Sequence, residues 1–248
     1  MASRDSGADG ASGVEGEANS PAHSAPATHA AHAGPLVPVT ARGEATRRRI
    51  LDAAEDVFGK MGYYEASVSE ITRRAGVAQG TFYIYFHSKR ETFVELIEDI
   101  GERLRSATSA AIEGAPDRIE AERRGFAAFF RFVYDHRRIY RIVEEAGRVA
   151  PEAAREYYRR ISVGYEHALR AAMRAGQIRE TSEEAIGYAL MGVAHFLALR
   201  WIIWPAESEN GQERQPQAPQ LSIPDDDVIP DAVFDAVVTF IARGLAPD

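Results

Sequence analysis

The sequence predicts an all-α chain, on three observations. From residue 46 onward apolar residues recur at three- and four-residue spacing through one segment after another. Ser67 and Ser88 each open such a segment with a glutamate three residues on, the pattern in which a serine side chain satisfies an orphan helix amide. Glycine or proline then closes the segments, at Gly62, Gly76, Gly114, Pro116 and Gly176. With 248 residues and 45% apolar content, the chain can hold one small and one mid-sized domain, each with its own core.

Residues 1–41 consist mainly of Ala, Gly, Ser and Pro with isolated histidines. They have no periodic apolar face to offset the entropy of ordering, so a disordered tail is expected. His23, His29 and His32 lack acidic or thiolate partners there, and no metal site is expected. The first helix is placed after Thr46 as N-cap, with Ile50, Ala54, Val57, Phe58 and Met61 on one stripe, and ends at Gly62. The second starts at Ser67 and turns Val68, Ile71 and Ala75 inward. Gly76 then supplies a left-handed turn and Val77 plugs the angle between helices. The third runs from about Gln79 to Phe86, with Phe82 and Phe86 buried at i, i+4 spacing and Tyr83 turned out. Residues 42–90 thus form a three-helix head containing a helix-turn-helix.

Ser88-Lys89-Arg90-Glu91 opens a long helix with Phe93, Leu96, Ile97, Ile100 and Leu104 on one face, joining the head to a helical-bundle body of residues 91–248. Phe126, Phe129, Phe130 and Val133 mark the next helix, and a shorter one covers Ile139 to Ala146. Pro151 starts another with Ala154, Tyr158, Ile161, Tyr165, Ala168 and Ala172 in a stripe. Thr181, with Glu184 three residues later, caps a helix running to Trp204. Its residues 185–204 are long and apolar enough to cross a bilayer, but His195 and Arg200 lie within and no basic flank marks an inside face. A buried bundle helix or a dimer seam is expected, and no membrane partner. Residues 205–227 read as a mobile polar linker before a last helix from about Pro230, with Val233, Phe234, Val237, Val238 and Ile241 inward.

Charge is unevenly placed. The chain carries a net −8, yet residues 42–90 hold nine bases against six acids, so a +3 head sits on a −11 remainder. Such a split focuses attraction for a polyanion at one end. Cysteine is absent, which excludes disulfides, thiolate nucleophiles and cysteine metal sites and suits a reducing cytoplasm. The N-terminus lacks the pattern of a signal peptide, which argues against export. Without metal-ligand spacing, a phosphate loop or a nucleophile elbow the chain does not read as an enzyme; no catalytic residue and no cofactor is assigned.

Residues 62–91, from Gly-Tyr-Tyr-Glu through Ser-Lys-Arg-Glu, resemble the DNA-binding head of the TetR family of one-component transcriptional repressors. Ala66 before Ser67 and Thr72 depart from the common pattern and leave the assignment standing. The resemblance implies a homodimer on double-stranded operator DNA. Gln79, Gly80, Thr81 and Tyr83 would lie at the bases or nearby phosphates, and Tyr85, His87, Lys89, Ser67 and Thr46 at the backbone. It implies a ligand-binding and dimerisation body whose last two helices pair with their mates, and an inverted-repeat operator with half-sites about 34 Å apart or a multiple of that.

The body would hold a small hydrophobic effector among Phe126, Phe129, Phe130, Tyr157, Tyr158, Tyr165, Tyr188, Phe196 and Trp201, although the same stripes serve equally as core. Tyr140 to Ala146, His195-Phe196-Leu197 and Arg200-Trp201 are similar to a TetR subgroup whose inducers are coenzyme A thioesters. On that likeness His195 and Arg200 orient the ligand, and Arg137, Arg138 and Arg141 meet nucleotide phosphates; the structural alternative pairs His195 and Arg200 with Glu144 or Glu145. The expected function is a cytoplasmic, ligand-released repressor. A constitutive DNA-binding protein without an effector, or an efflux regulator answering a drug-like molecule, remain as alternatives.

Overall fold

A computed structural model describes residues 40–204 and 228–247. The expected tail with its three histidines, and the expected linker, lie outside the described residues. All described regular structure is helical: α1 (Ala41–Met61), α2 (Val68–Ala75), α3 (Gln79–Tyr85), α4 (Lys89–Ile112), α5 (Arg118–Asp135), α6 (Arg137–Val149), α7 (Pro151–Arg174), α8 (Glu183–Ala198) with a π-helical extension (Leu199–Ile203), and α9 (Asp231–Leu245).

The caps explain most boundaries. Ser67 and Ser88 accept the Glu70 and Glu91 amides, each at 3.1 Å, as the sequence pattern requires. Gly76 sits at φ 64° and ends α2 in the left-handed region. Two starts differ from expectation. α1 begins two turns earlier than Thr46, because Thr40 caps it by accepting the Gly43 amide at 3.1 Å. Thr46 is inside the helix, and its hydroxyl donates to the Arg42 carbonyl at 3.0 Å. α8 is capped by Ser182 rather than Thr181, since the Thr181 amide is turned back onto Met173 Sδ. α6 is longer than its apolar stripe suggested, because a 3₁₀-type bond from Ile139 to His136 lets the chain turn straight out of α5.

The head does not have a core to itself. Ile50, Phe58, Ile71, Phe82, Phe86 and Phe93 are fully buried in a cluster that continues into the body through Ile139, Ile142, Ala146 and Ala153. α6 lies directly against α1, and Gly59 makes the approach possible: a Cβ there would stand 2.6 Å from the Arg138 Cβ. α4 runs from the head down between α5 and α7. A second cluster, with Phe126, Phe130, Leu169, Leu190, Ile202 and Ile241, packs α5, α7, α8 and α9. The apolar span of α8 and its extension is the one described helix long and apolar enough to cross a membrane. One side of it is packed in this second cluster, while Tyr188, Phe196, Trp201 and Trp204 are exposed.

Candidate functional site: recognition head and body cavity

The outward surface of the head is built by α3. Phe82 and Phe86 anchor it, fully buried, with Phe82 edge-on to Tyr83. This anchoring leaves Gln79, Gly80 and Tyr83 outside, Tyr83 at 49% exposure, while Thr81 is half-buried. Gln79 and Tyr83 are i, i+4 neighbours and share one face. No atom stands within 4 Å of where a Gly80 Cβ would be, so backbone can approach a flat partner there. Ile84, also exposed at 46%, joins this surface and was not singled out in the sequence, where an apolar residue beside Phe82 and Phe86 reads as core. Ser67 and His87 are exposed; Tyr85 is half-buried against the head core.

Charge in the head is more committed than its count suggests. Arg47 pairs with Glu95, Arg48 with Asp52 and Asp99, Arg73 with Glu70, and Arg90 with Glu152. Asp56 gathers Lys60, Arg74 and Arg138, each at 2.8 Å. Burial disfavours its ionisation, but those cations prevail and hold its carboxyl below the ordinary value. Among the described residues Arg42 and Arg49 make no ion pair; both are exposed on α1, seven residues apart on one face, with Thr46 between them.

Lys89 departs from its expected place at a phosphate. Its ammonium donates to the Tyr63 carbonyl at 2.8 Å and the Ala66 carbonyl at 2.7 Å, reaches the Tyr64 carbonyl at 3.5 Å, and lies 4.4 Å from the centre of the Tyr63 ring. An ammonium has three protons, and these carbonyls take them. Lys89 clamps the turn between α1 and α2. Thr46 is likewise not at a helix N-terminus, so it offers no free amide to an anion.

The body holds a partly open cavity of ≈ 240 Å³ bounded by α4, α5, α6, α7 and α8. On α4 its wall extends from Ile100 to Ile112, which at about 1.5 Å per residue is roughly 18 Å, so the lining is elongated along that helix. Phe126, Phe129, Tyr158, Tyr165 and His195 line it as the aromatic stripes suggested. The half-burial of Tyr158, Ile161, Tyr165 and Ala168 on α7 has the same cause: that stripe faces the cavity, which the buried Tyr157 also reaches, while Ala153, Leu169 and Ala172 carry the helix's tightest packing.

Eight expected ligand residues are elsewhere, among them Tyr188 and Phe196, which are exposed. Phe130 is in the second core cluster, behind the wall. Trp201 and Arg200 point outward, Arg200 stacked over Trp201 at 5.4 Å, and Arg200 meets neither Glu144 nor Glu145. Arg141 faces the head: it donates to the Lys60 carbonyl at 3.1 Å and pairs with Glu145. Arg138 does the same through Asp56, and Arg137 lies over Tyr134, so these three arginines do not form a phosphate site on the cavity. Glu145 in turn accepts the Tyr63 amide at 2.7 Å. α6 therefore touches the cavity with Ile139, Tyr140 and Val143 and grips the head with Arg138, Arg141 and Glu145.

The cavity's wall is mainly apolar, and its charged or titratable side chains include Arg105, Arg160, His195 and the Arg118–Glu122 pair. His195 stacks on Tyr140, ring centres 5.4 Å apart, with Nδ1 against the Tyr140 hydroxyl. Burial pushes the His195 pKa below its ordinary value although Glu144 opposes this, which favours the uncharged ring. At the other end Arg118 and Glu122, both buried, form an i, i+4 pair on α5. Burial raises the Glu122 carboxyl above its usual range, against the pull of Arg118. Neither Arg118 nor Glu122 was singled out from the sequence, because arginine and glutamate at that spacing usually mark a solvated helix face.

Residues 50–96 match the family described as bacterial regulatory proteins, tetR family, through its N-terminal domain. The HTH-type transcriptional regulator YdgC of Bacillus subtilis is 42% identical over 71 residues, which are 29% of this chain and 36% of YdgC. The HTH-type transcriptional regulator EthR of Mycolicibacterium smegmatis is 32% identical over 111 residues, 44% of this chain and 51% of EthR. The matched stretches span about half or less of these curated relatives. The crystal structure of the transcriptional regulator FadR from Bacillus subtilis, in complex with stearoyl-CoA, shares the fold with a TM-score of 0.62 at 20% identity, covering 80% of this chain and 98% of FadR. This chain carries the N-terminal helix-turn-helix DNA-binding domain of the TetR family of bacterial regulatory proteins, on a helical body of the fold found in such regulators.

Proposed function

We propose that the chain is a dimeric, cytoplasmic transcriptional repressor released from an inverted-repeat operator by a hydrophobic effector bearing an acyl chain, a coenzyme A thioester in the first instance. The observation that carries this is the placement of the cavity: it is walled by α4, which enters the head, and by α6, which is bonded to it. A ligand that changes the spacing of these two helices changes the pose of α3. Linkage makes the effect reciprocal, and a coupling of about 1–3 kcal/mol lowers operator affinity roughly 5- to 150-fold.

The cavity's length and largely apolar wall suit an extended chain better than a compact molecule. Stearoyl-CoA in the structure of FadR, a regulator of the same fold, supports that choice of class. On DNA, Gln79, Thr81 and Tyr83 meet base edges or neighbouring phosphates. Ser67 at its helix N-terminus and Arg42 and Arg49 on α1 supply backbone contacts. The exposed aromatic residues Tyr188, Phe196 and Trp204 of the α8 region and Phe240 of α9 form the surface that a second copy covers.

Native mass spectrometry of the purified chain tests the reading. The expected spectrum is a dimer with a co-purified acyl species whose removal increases operator retention. A dimer whose DNA affinity is the same before and after exposure to acyl thioesters would refute it in favour of a constitutive DNA-binding protein.

A further inference from the structure

Resting on the reading of the cavity as an acyl-effector site, we propose that its end at Arg118, Glu122 and Tyr165 is a polar subsite that selects ligands carrying an uncharged oxygen function, a hydroxyl or a carbonyl, on the end of the chain that enters first.

The buried ion pair lies within one helix, and only the guanidinium's contact with the Tyr165 ring reaches another element. Burying two charges costs more than a well-packed apolar pair would. Arg118 occupies the first residue of the helix, where the macrodipole disfavours a cation, although Asp117 already caps that end by accepting the Glu120 amide at 2.8 Å. Both residues line the cavity.

The pair is also incompletely used. Arg118 directs Nε, at 2.9 Å, and Nη2 to the same oxygen, Glu122 Oε1. The second guanidinium nitrogen Nη1 and Glu122 Oε2 have no hydrogen-bond partner among the described residues. The Tyr165 hydroxyl, whose ring lies 5.8 Å from the guanidinium, has none either. No unpartnered side-chain oxygen or nitrogen is sealed off among the described residues, so these three groups keep some open surface, and all three residues line the cavity. Together they offer two donors and an acceptor.

Charge selects the ligand's chemistry. Glu122 already balances Arg118, so a carboxylate or phosphate brought to this end would add an uncompensated negative charge in a buried place. A hydroxyl can donate to Glu122 and accept from Arg118 or Tyr165; a carbonyl can accept from both donors. A bare methyl terminus leaves all three unbonded after displacing water from them.

The test is direct isothermal titration of the full chain with four ligands: dodecanoyl-CoA, its ω-hydroxy counterpart, dodecanol and dodecanediol. The wild-type protein is expected to bind the hydroxylated thioester about tenfold or more tightly than the plain one. The double variant Arg118→Leu/Glu122→Leu, which exchanges a buried ion pair for apolar volume, should fold and reverse the preference. Tyr165→Phe, which removes one hydroxyl only, should reduce it several-fold. Equal affinity of the wild type for both thioesters would overturn the subsite and leave the acyl-effector reading intact. Binding of the alcohols with an Arg118- and Glu122-dependent preference, but of neither thioester, would sustain the subsite and overturn the thioester. Binding of none of the four overturns both.

Discussion

Replacing Lys89 by methionine separates two accounts of one residue. Methionine keeps the apolar stem and loses the ammonium. If Lys89 neutralised a phosphate, the logarithm of DNA affinity would fall less steeply with salt, the slope decreasing by about 0.9, with stability unchanged. The structure gives a different expectation. The ammonium makes two short bonds to carbonyls, at 2.7 and 2.8 Å, a longer one at 3.5 Å, and a contact with the Tyr63 ring at 4.4 Å.

Bonds to a charged donor contribute about 1.5–3 kcal/mol each, but the Tyr64 carbonyl is rehydrated when the lysine is lost and the side chain is half-exposed, so the two short bonds together amount to about 2–3 kcal/mol. The buried Ala66 residue is the one least able to recover water. For a protein of this size about 1 kcal/mol moves the midpoint by roughly 2–4 °C, so Lys89→Met is expected to melt on the order of 5–10 °C lower, with an unaltered salt slope on a duplex fragment. Calorimetry and fluorescence anisotropy across a salt series measure the two quantities. An unchanged midpoint with a slope reduced by one phosphate would refute the clamp.

Tyr83→Ala removes an exposed side chain from the α3 surface and should weaken specific operator binding by about 1–3 kcal/mol, or roughly 5- to 150-fold, with an intact dimer; an unchanged footprint removes Tyr83 from the contact set. Gly59→Ala brings a methyl to 2.6 Å of the Arg138 Cβ, and overpacking of about 1–3 kcal/mol exceeds the helix-propensity gain of about 1 kcal/mol, so urea unfolding should show a net loss; a more stable variant would mean that α1 and α6 are not in close contact. Burial holds His195 below its ordinary pKa of 6.5, so the unfolded chain takes up that proton first. Stability contributed by the neutral ring is therefore present above about pH 6.5 and declines as pH falls through the lower folded value. His195→Asn should flatten that part of a pH–stability profile, and a profile identical to wild type would place the titration elsewhere.

Features governed by near neighbours along the chain are legible from the residues alone. Ser67 and Ser88 cap because a serine hydroxyl reaches an amide three residues on whatever the rest of the chain does. Gly76 turns left-handed because it has no Cβ, and Phe82 with Phe86 fixes which side of α3 faces out, leaving Tyr83 exposed. The all-helical class, the helix-turn-helix and the outward residues of α3 follow from such short-range chemistry. The caps of α8 and α1 fell instead to Ser182 and Thr40, whose hydroxyls accept the Ala185 and Gly43 amides.

What joins residues far apart was decided by tertiary packing alone. Nothing near Glu145 announces that its carboxylate holds the Tyr63 amide 82 residues away, and nothing near Lys89 announces three carbonyls of a preceding turn. The roll of α5 about its axis turned Arg118 and Glu122 into the cavity instead of to water, and the roll of α6 turned Arg138 and Arg141 to the head instead of to a ligand. Periodicity marks an apolar stripe, but a helix's rotation and the gap left between helices are set by the summed fit of many side chains, and that sum exists only once the chain has folded.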